Sequence, residues 1–117
     1  FKSYIVLSQK EIKQIQRKQS QDSLAFPRMF NALGDPTRWK IFLLLIDYQD
    51  LCVTDLAHVL QISVPAASQH LRILELSGLI SKERMGQSMC YHVQSQSAAT
   101  RLVVRAVKAL RMVKQSY

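Results

Sequence analysis

The sequence predicts a mainly α-helical domain carrying one small β-hairpin: a winged helix-turn-helix, with elements in the order α-α-α-α-β-β-α and the chain paired as a dimer. Three observations predict it. Thr54 to Leu60 and Ser63 to Ser77 read as two short helices separated only by Gln61-Ile62. Gly78 ends the second helix, and Leu79-Ile80 resumes the apolar pattern at once. Ile80 to Met85 and Ser88 to Val93 then flank Gly86-Gln87, as two strands flank a tight turn. A helix-turn-helix without a wing would leave this hairpin unexplained.

Each element has a local reason. Residues 1–20 form a polar helical extension, in which only Ile12 and Ile15 recur at helical spacing, and residues 21–117 form the domain itself. Leu24, Met29, Phe30 and Leu33 supply one apolar face of the next helix, which Pro27 starts or bends and Gly34 ends. Asp35 caps the following helix and Pro36 takes its first position, where a missing N–H costs little. Trp39 to Ile46 is apolar nearly all round, as expected of a buried central helix. Ser63 caps the helix over 63–77, with Pro65 in its first turn. Ala66, Ala67, Leu71 and Leu74 turn inward there, and Ser68, Gln69 and Arg72 outward. In the second strand, Met89, Tyr91 and Val93 alternate with Ser88, Cys90 and His92, which places the two sets on opposite faces. The last helix carries Ala99, Leu102, Val103, Ala106, Val107, Leu110 and Val113 in a stripe too wide for one small core. Its expected partner is the same helix of a second subunit.

Composition narrows the class. A chain of 117 residues with 48% hydrophobic residues suits one modest core. No run approaches the ~18 apolar residues of a membrane span. The chain opens on Phe1 rather than Met, so its natural start is expected upstream, and no secretory leader is visible. Two cysteines, Cys52 and Cys90, are too few for a disulfide scaffold and read as reduced thiols of a cytoplasmic protein. The net charge is +8, yet residues 36–93 balance: Arg38, Lys40, Arg72, Lys82 and Arg84 against Asp47, Asp50, Asp55, Glu75 and Glu83. The excess lies in the flanks, at Lys2, Lys10, Lys13, Arg17, Lys18 and Arg28 in front and Arg101, Arg105, Lys108, Arg111 and Lys114 behind. Such runs are either solvated helix faces or surfaces that attract phosphate.

An exposed helix of this length fits the DNA major groove, and a basic hairpin beside it reaches neighbouring phosphates. The expected base-reading surface is Ser63, Pro65, Ala66, Ser68, Gln69 and Arg72, with Gln69 suited to pair bidentately with adenine and Ala66 to touch a thymine methyl. Lys82, Arg84, Gln87 and Ser88 are the expected wing contacts. Leu24, Met29, Leu102, Val103, Ala106, Val107, Leu110 and Val113 are the expected dimer interface. The neutral core and single arginine of the reading helix leave a second class open, a winged-helix module that binds protein instead of DNA. No carboxylate pair, glycine-rich phosphate loop or Ser/His/Asp spacing points to an enzyme, and no cofactor is expected.

Leu33-Gly34-Asp35-Pro36-Thr37-Arg38 with Ile41, then Leu51-Cys52-Val53-Thr54-Asp55-Leu56, then Ser68-Gln69-His70-Leu71-Arg72-Ile73-Leu74 with Gly78-Leu79-Ile80, stand in this order. They resemble the "LxDPTRxxIL", "ELCVCDL" and "SHHLKVL…GLV" segments of the ArsR–SmtB family of bacterial and archaeal repressors. The resemblance spans roughly residues 24 to 110 and leaves residues 1–20 uncovered. It implies a homodimeric repressor of double-stranded DNA, joined through its terminal helices, with a structural role for His70 behind the reading helix. It also raises metal sensing. One family site uses Cys52 with a second cysteine, here Thr54, or with Asp55 and ligands from the N-terminal arm, where this chain has no Cys or His. The other uses Asp, His and Glu of the last helix, and residues 94–117 contain none of them. Cys52, Asp55 and His58 fall short of the about four ligands a transition metal needs, so no metal is expected. Some family members respond through paired cysteines, which leaves a redox-responsive repressor using Cys52 and Cys90 as an alternative. Nothing in the sequence brings those two within the ~7 Å between Cα atoms that a disulfide needs. No inducer can be named.

Overall fold

The computed structural model describes residues 6–20 and 23–113. Lys2 and Lys114 of the basic flanks lie outside them, as do the other ends of the two expected segments. Helix α1 (Gln9–Ser20) opens on a reciprocal cap: the Ser8 hydroxyl accepts from the Glu11 N–H at 3.1 Å, and the Ser8 N–H donates to Glu11 Oε1 at 2.9 Å. No residue of α1 is buried, so this helix adds nothing to the core. In α2 (Ala25–Leu33), Met29, Ala32 and Leu33 turn inward, whereas Phe26, Phe30 and the preceding Leu24 stay exposed. The single apolar face expected there is thus two faces, one packed and one open.

Asp35 starts α3 (Pro36–Asp47) by accepting from the Thr37 and Arg38 N–H groups at 2.9 and 3.0 Å, with Pro36 in the first turn. Ile41, Phe42 and Leu45 of this helix are the centre of the core, with Phe42 fully buried. They meet Leu56, Leu71, Leu74, Leu79, Val103 and Val107 from the surrounding elements. Truncating Phe42 to Ala would remove its transfer energy and leave a cavity, at a cost of about 3–5 kcal/mol.

Asp50, at φ 60°, turns the chain into β1 (Leu51–Cys52), a strand the sequence did not suggest. It runs into α4 (Val53–Leu60), then α5 (Val64–Leu76), β2 (Ile80–Met85), β3 (Ser88–Val93) and α6 (Ala98–Arg111). The sheet order is β1-β3-β2, all antiparallel, so β3 is central. Leu51 pairs with Tyr91 and Cys52 with Cys90; on the other side, Ile80 pairs with Val93 and Met85 with Ser88. Period-two alternation put Cys90 on the outer face, but both Cys90 and Tyr91 are buried, with Cys90 bonded to Cys52 of the neighbouring strand β1. Two glycines are required by backbone angle, Gly78 at φ 89° and Gly86 at φ 65°.

The stripe on α6 divides as well. Thr100, Val103 and Val107 are buried in this chain's own core, while Leu102, Leu110, Met112 and Val113 are exposed. The expectation that Met29, Val103 and Val107 face a second subunit is therefore corrected. Leu24, Leu102, Ala106, Leu110 and Val113 remain open to a partner. Two polar contacts seat α6: the buried Thr100 hydroxyl donates to the Gly78 carbonyl at 2.8 Å, and Arg111 donates to both Asp47 oxygens at 2.8 and 3.0 Å.

Candidate nucleic-acid interface

The reading unit begins where α4 ends. Gln61 takes the left-handed conformation at φ 56°, and the Ile62 N–H donates to the Ala57 carbonyl at 3.0 Å, which closes α4 and redirects the chain within two residues. Ser63 then caps α5, its hydroxyl accepting from the Ala66 N–H at 3.2 Å. Ala67, Leu71 and Leu74 bury one face of α5. On the opposite face Ser63, Pro65, Ser68, Gln69 and Arg72 are exposed, and Ala66 is half-buried at the margin. Positions 65, 68, 69 and 72 follow helical 3–4 spacing, so they share one stripe. The polar contacts α5 does make run from Ser63, His70, Glu75 and Ser77, all off that stripe or at the helix ends. Ser68, Gln69 and Arg72 are thus presented outward.

The wing brings further polar groups. Lys82, Arg84, Gln87 and Ser88 are all exposed, with Arg84, Gln87 and Ser88 around the Gly86 turn. Lys82 is partly neutralised, its Nζ lying 3.8 Å from Glu75 Oε1 on α5. Among the described residues Arg84 makes no ion pair, and it is the cation nearest the tip. The same ion pair joins the root of the wing to α5.

A cluster the sequence did not assemble holds α5 from behind. Arg38 Nε donates to the Ala32 carbonyl at 2.7 Å, and Arg38 Nη1 lies 3.5 Å from His70 Nδ1. The same ring nitrogen is 3.9 Å from the capping oxygen of Asp35. One carboxylate therefore caps α3 while facing the back of the reading helix. Its pKa is lowered, first by the Arg38 backbone N–H and then by the Arg38 charge and the Thr37 N–H, against the opposing effect of burial. The signal for this cluster was present in Asp35-Pro36-Thr37-Arg38, but its meeting with His70 depends on how α3 and α5 pack.

The two cysteines correct the sequence reading. Cys52 and Cys90 are joined as a disulfide, with Cα atoms 3.8 Å apart, rather than standing as unrelated reduced thiols. Cys52 ends β1 and also caps α4, its N–H donating to Asp55 Oδ2 at 3.3 Å. The bond ties the start of the helix-turn-helix to the central strand of the wing. Both of its sulfurs are committed, and among the described residues no three His, Cys, Asp or Glu side chains cluster as metal ligands would. His58, the third candidate ligand, is exposed on α4. Among the described residues, no helix is long and apolar enough to cross a membrane.

Comparison with known proteins agrees with this architecture. Residues 35–82, from the α3 cap through the reading helix into the wing, match the family described as bacterial regulatory protein, arsR family. The arsenic resistance transcriptional regulator ArsR1 of Pseudomonas putida is 36% identical over 70 residues, which is 60% of this chain and 55% of that protein. The transcriptional repressor SdpR of Bacillus subtilis is 40% identical over 67 residues, covering 57% of this chain and 73% of SdpR. The chain spans 55% to 63% of the length of the first relatives it matches. Among solved structures, reduced HlyU from Vibrio cholerae superposes with a TM-score of 0.67 at 25% identity, over 86% of this chain and 99% of that one. The homodimeric winged helix-turn-helix DNA-binding domain of Mb0332 from Mycobacterium bovis gives 0.64 at 19% identity, over 97% of each chain, and so shares the fold. With the motif segments, the winged helix-turn-helix and a relative matched over most of its length all in agreement, the chain belongs to the arsR family of bacterial regulatory proteins.

Proposed function

We propose that this protein is a homodimeric repressor that reads a palindromic DNA operator. The observation that carries this is the outward stripe of α5, where Pro65, Ser68, Gln69 and Arg72 are exposed beside a wing tip bearing Arg84. Small and amide side chains allow close approach to base edges, and the arginines supply phosphate or guanine contacts. Ser63, Ala66, Lys82, Gln87 and Ser88 complete the contact set. The names carried by relatives point the same way: SdpR is a transcriptional repressor, and an Escherichia coli relative is the arsenical resistance operon repressor. The reaction surface is one of binding, and the regulator works in the cytoplasm, where its DNA is.

Dimerisation is supported by apolar side chains that the described residues leave exposed. Leu24, Phe26 and Phe30 of the α2 region and Leu102, Leu110, Met112 and Val113 at α6 are 39–83% exposed. Two reading helices must enter successive major grooves about 34 Å apart, a spacing that only a fixed pair of subunits provides. Residues 1–20 act as an extension of the domain formed by 21–117.

Fluorescence anisotropy with duplexes tiled across the gene's own upstream region tests the reading. One palindromic duplex should bind about a thousandfold or more tighter than scrambled DNA, with two chains per duplex. Equal, weak binding to every duplex would indicate a winged-helix module that uses this surface for protein contacts instead.

A further inference from the structure

We infer that the cleft between the end of α3, the wing and the outer side of α6 binds a small zwitterion with an apolar body, of the class of the free amino acids, and that its occupancy changes how the wing is held. The inference rests on the DNA-reading proposal only for its effect on operator binding. The binding itself stands on the cleft.

Helix α6 has three sides, not two. Thr100, Val103 and Val107 enter the core, and Leu102, Ala106, Leu110 and Val113 remain open to a partner. The third side, Arg101, Val104, Arg105 and Lys108, follows helical 3–4 spacing and belongs to neither set. Val104 and Lys108 wall a cavity of about 370 Å³, closed on its other sides by Leu45 and Ile46 of α3 and Val93 of β3. That volume lies within the range of small-molecule sites. Past Val93, Ser95 and Val104 it adjoins a second hollow of about 260 Å³, bordered by Arg101 and Arg105. A ligand's apolar body thus has a floor of aliphatic side chains and room to extend along α6.

The lining carries both signs of charge. Asp50 and Glu83 bring carboxylates to it, and Lys108 brings an ammonium group. Among the described residues neither Glu83 nor Lys108 is in a salt bridge. Asp47, whose carboxyl feels the Lys108 charge, is held at both oxygens by Arg111. Asp50 lies 3.7 Å from His92 Nδ1, too far for a hydrogen bond, so its oxygens can accept from a ligand. A ligand ammonium is therefore received by Asp50 and Glu83, and a ligand carboxylate by Lys108, as charge-assisted hydrogen bonds. A ligand with a single charge would leave the opposite group to lose water without gaining a counter-ion. Position gives occupancy its consequence. The cleft touches α3, both wing strands and α6 at once, and Glu83 immediately precedes Arg84 of the wing. A bound zwitterion ties the wing to the helix that carries the open apolar side.

Titrating the full chain with phenylalanine while following backbone amide resonances by NMR tests the site. Shifts should centre on Asp50, Val93, Ser95 and Val104, with a dissociation constant of about 0.1–1 mM, as a ligand of roughly a dozen non-hydrogen atoms can reach. Phenethylamine lacks the carboxylate and 3-phenylpropionate lacks the amine, and each should bind about tenfold more weakly. Lys108→Gln should remove the advantage of phenylalanine over phenethylamine. Asp50→Asn, which tolerates the left-handed backbone at φ 60°, should narrow its advantage over 3-phenylpropionate. Operator affinity should change by about threefold or more at saturation. No shifts at about 10 mM phenylalanine, or shifts confined to other faces, would overturn the site. Either single-charge compound binding as tightly as phenylalanine would overturn the zwitterion. Unchanged operator affinity with the cleft occupied would overturn the effect on the wing. A chain that binds no duplex, yet binds phenylalanine in the cleft, would refute the DNA reading and leave the ligand site standing.

Discussion

Gln69 sits in the middle of the α5 stripe, exposed, with Ser68 and Arg72 on either side. An amide that pairs with adenine distinguishes cognate from random DNA, so Gln69→Ala should cost about 1–3 kcal/mol on the operator and much less on scrambled duplex. Equal losses on both would place Gln69 outside the base-reading set. Arg84 has the opposite signature. A phosphate contact releases counterions whatever the sequence, so Arg84→Ala should weaken all duplexes alike and lower the slope of log K against log salt by about one unit. An unchanged slope would mean the wing tip points away from DNA. The Asp47–Arg111 pair is a matter of stability. Arg111's hydrogen bonds hold the Asp47 carboxyl below its ordinary range. A depressed folded-state pKa stabilises the fold above the unfolded value of about 3.9, and that contribution is lost as pH falls through the folded value. Asp47→Asn should therefore flatten the fall in Tm below about pH 4, modestly, since both side chains are about two-fifths exposed. An acid limb identical to wild type would show that the pair contributes nothing.

At the scale of elements, α6 is attached by contacts its own periodicity does not reveal. The stripe predicted an outward, partner-facing helix, yet Thr100 is fully buried and donates to the carbonyl of Gly78, the residue that ends α5. That single bond joins the last helix to the reading helix's exit. Thr100→Val keeps the shape and leaves the Gly78 carbonyl short of a partner, which should destabilise the fold by about 1–3 kcal/mol in a urea titration. A loss below about half a kcal/mol would mean that water replaces the hydroxyl. The helix starts, by contrast, were legible residue by residue. Asp35 and Ser63 each accept from a first-turn amide, as their positions before an apolar run suggested. β1 was not legible, because two residues carry no period and become a strand only when β3 lies beside them.

For the whole molecule, the division of α6 separates folding from assembly. Val103 is 1% exposed in its own core, and Leu110 is 59% exposed. Val103→Asp should unfold the chain, because it buries an unpaired charge. Leu110→Asp should keep the circular dichroism spectrum, run as a monomer in sedimentation and lose operator binding. A Leu110→Asp chain that stays dimeric would move the interface elsewhere. The sequence by itself determined what depends on neighbours along the chain: the caps at Asp35 and Ser63, the stop at Gly78, the turn at Gly86, and the outward stripe of α5. These follow from hydrogen bonds and side-chain directions spanning one or two helical turns. Only the tertiary structure decided which half of the α6 stripe is core, how Asp35 and Arg38 meet His70, and that Cys52 bonds Cys90 across 38 residues. Those outcomes depend on which elements pack together, and local periodicity carries no information about which surface will cover a given face.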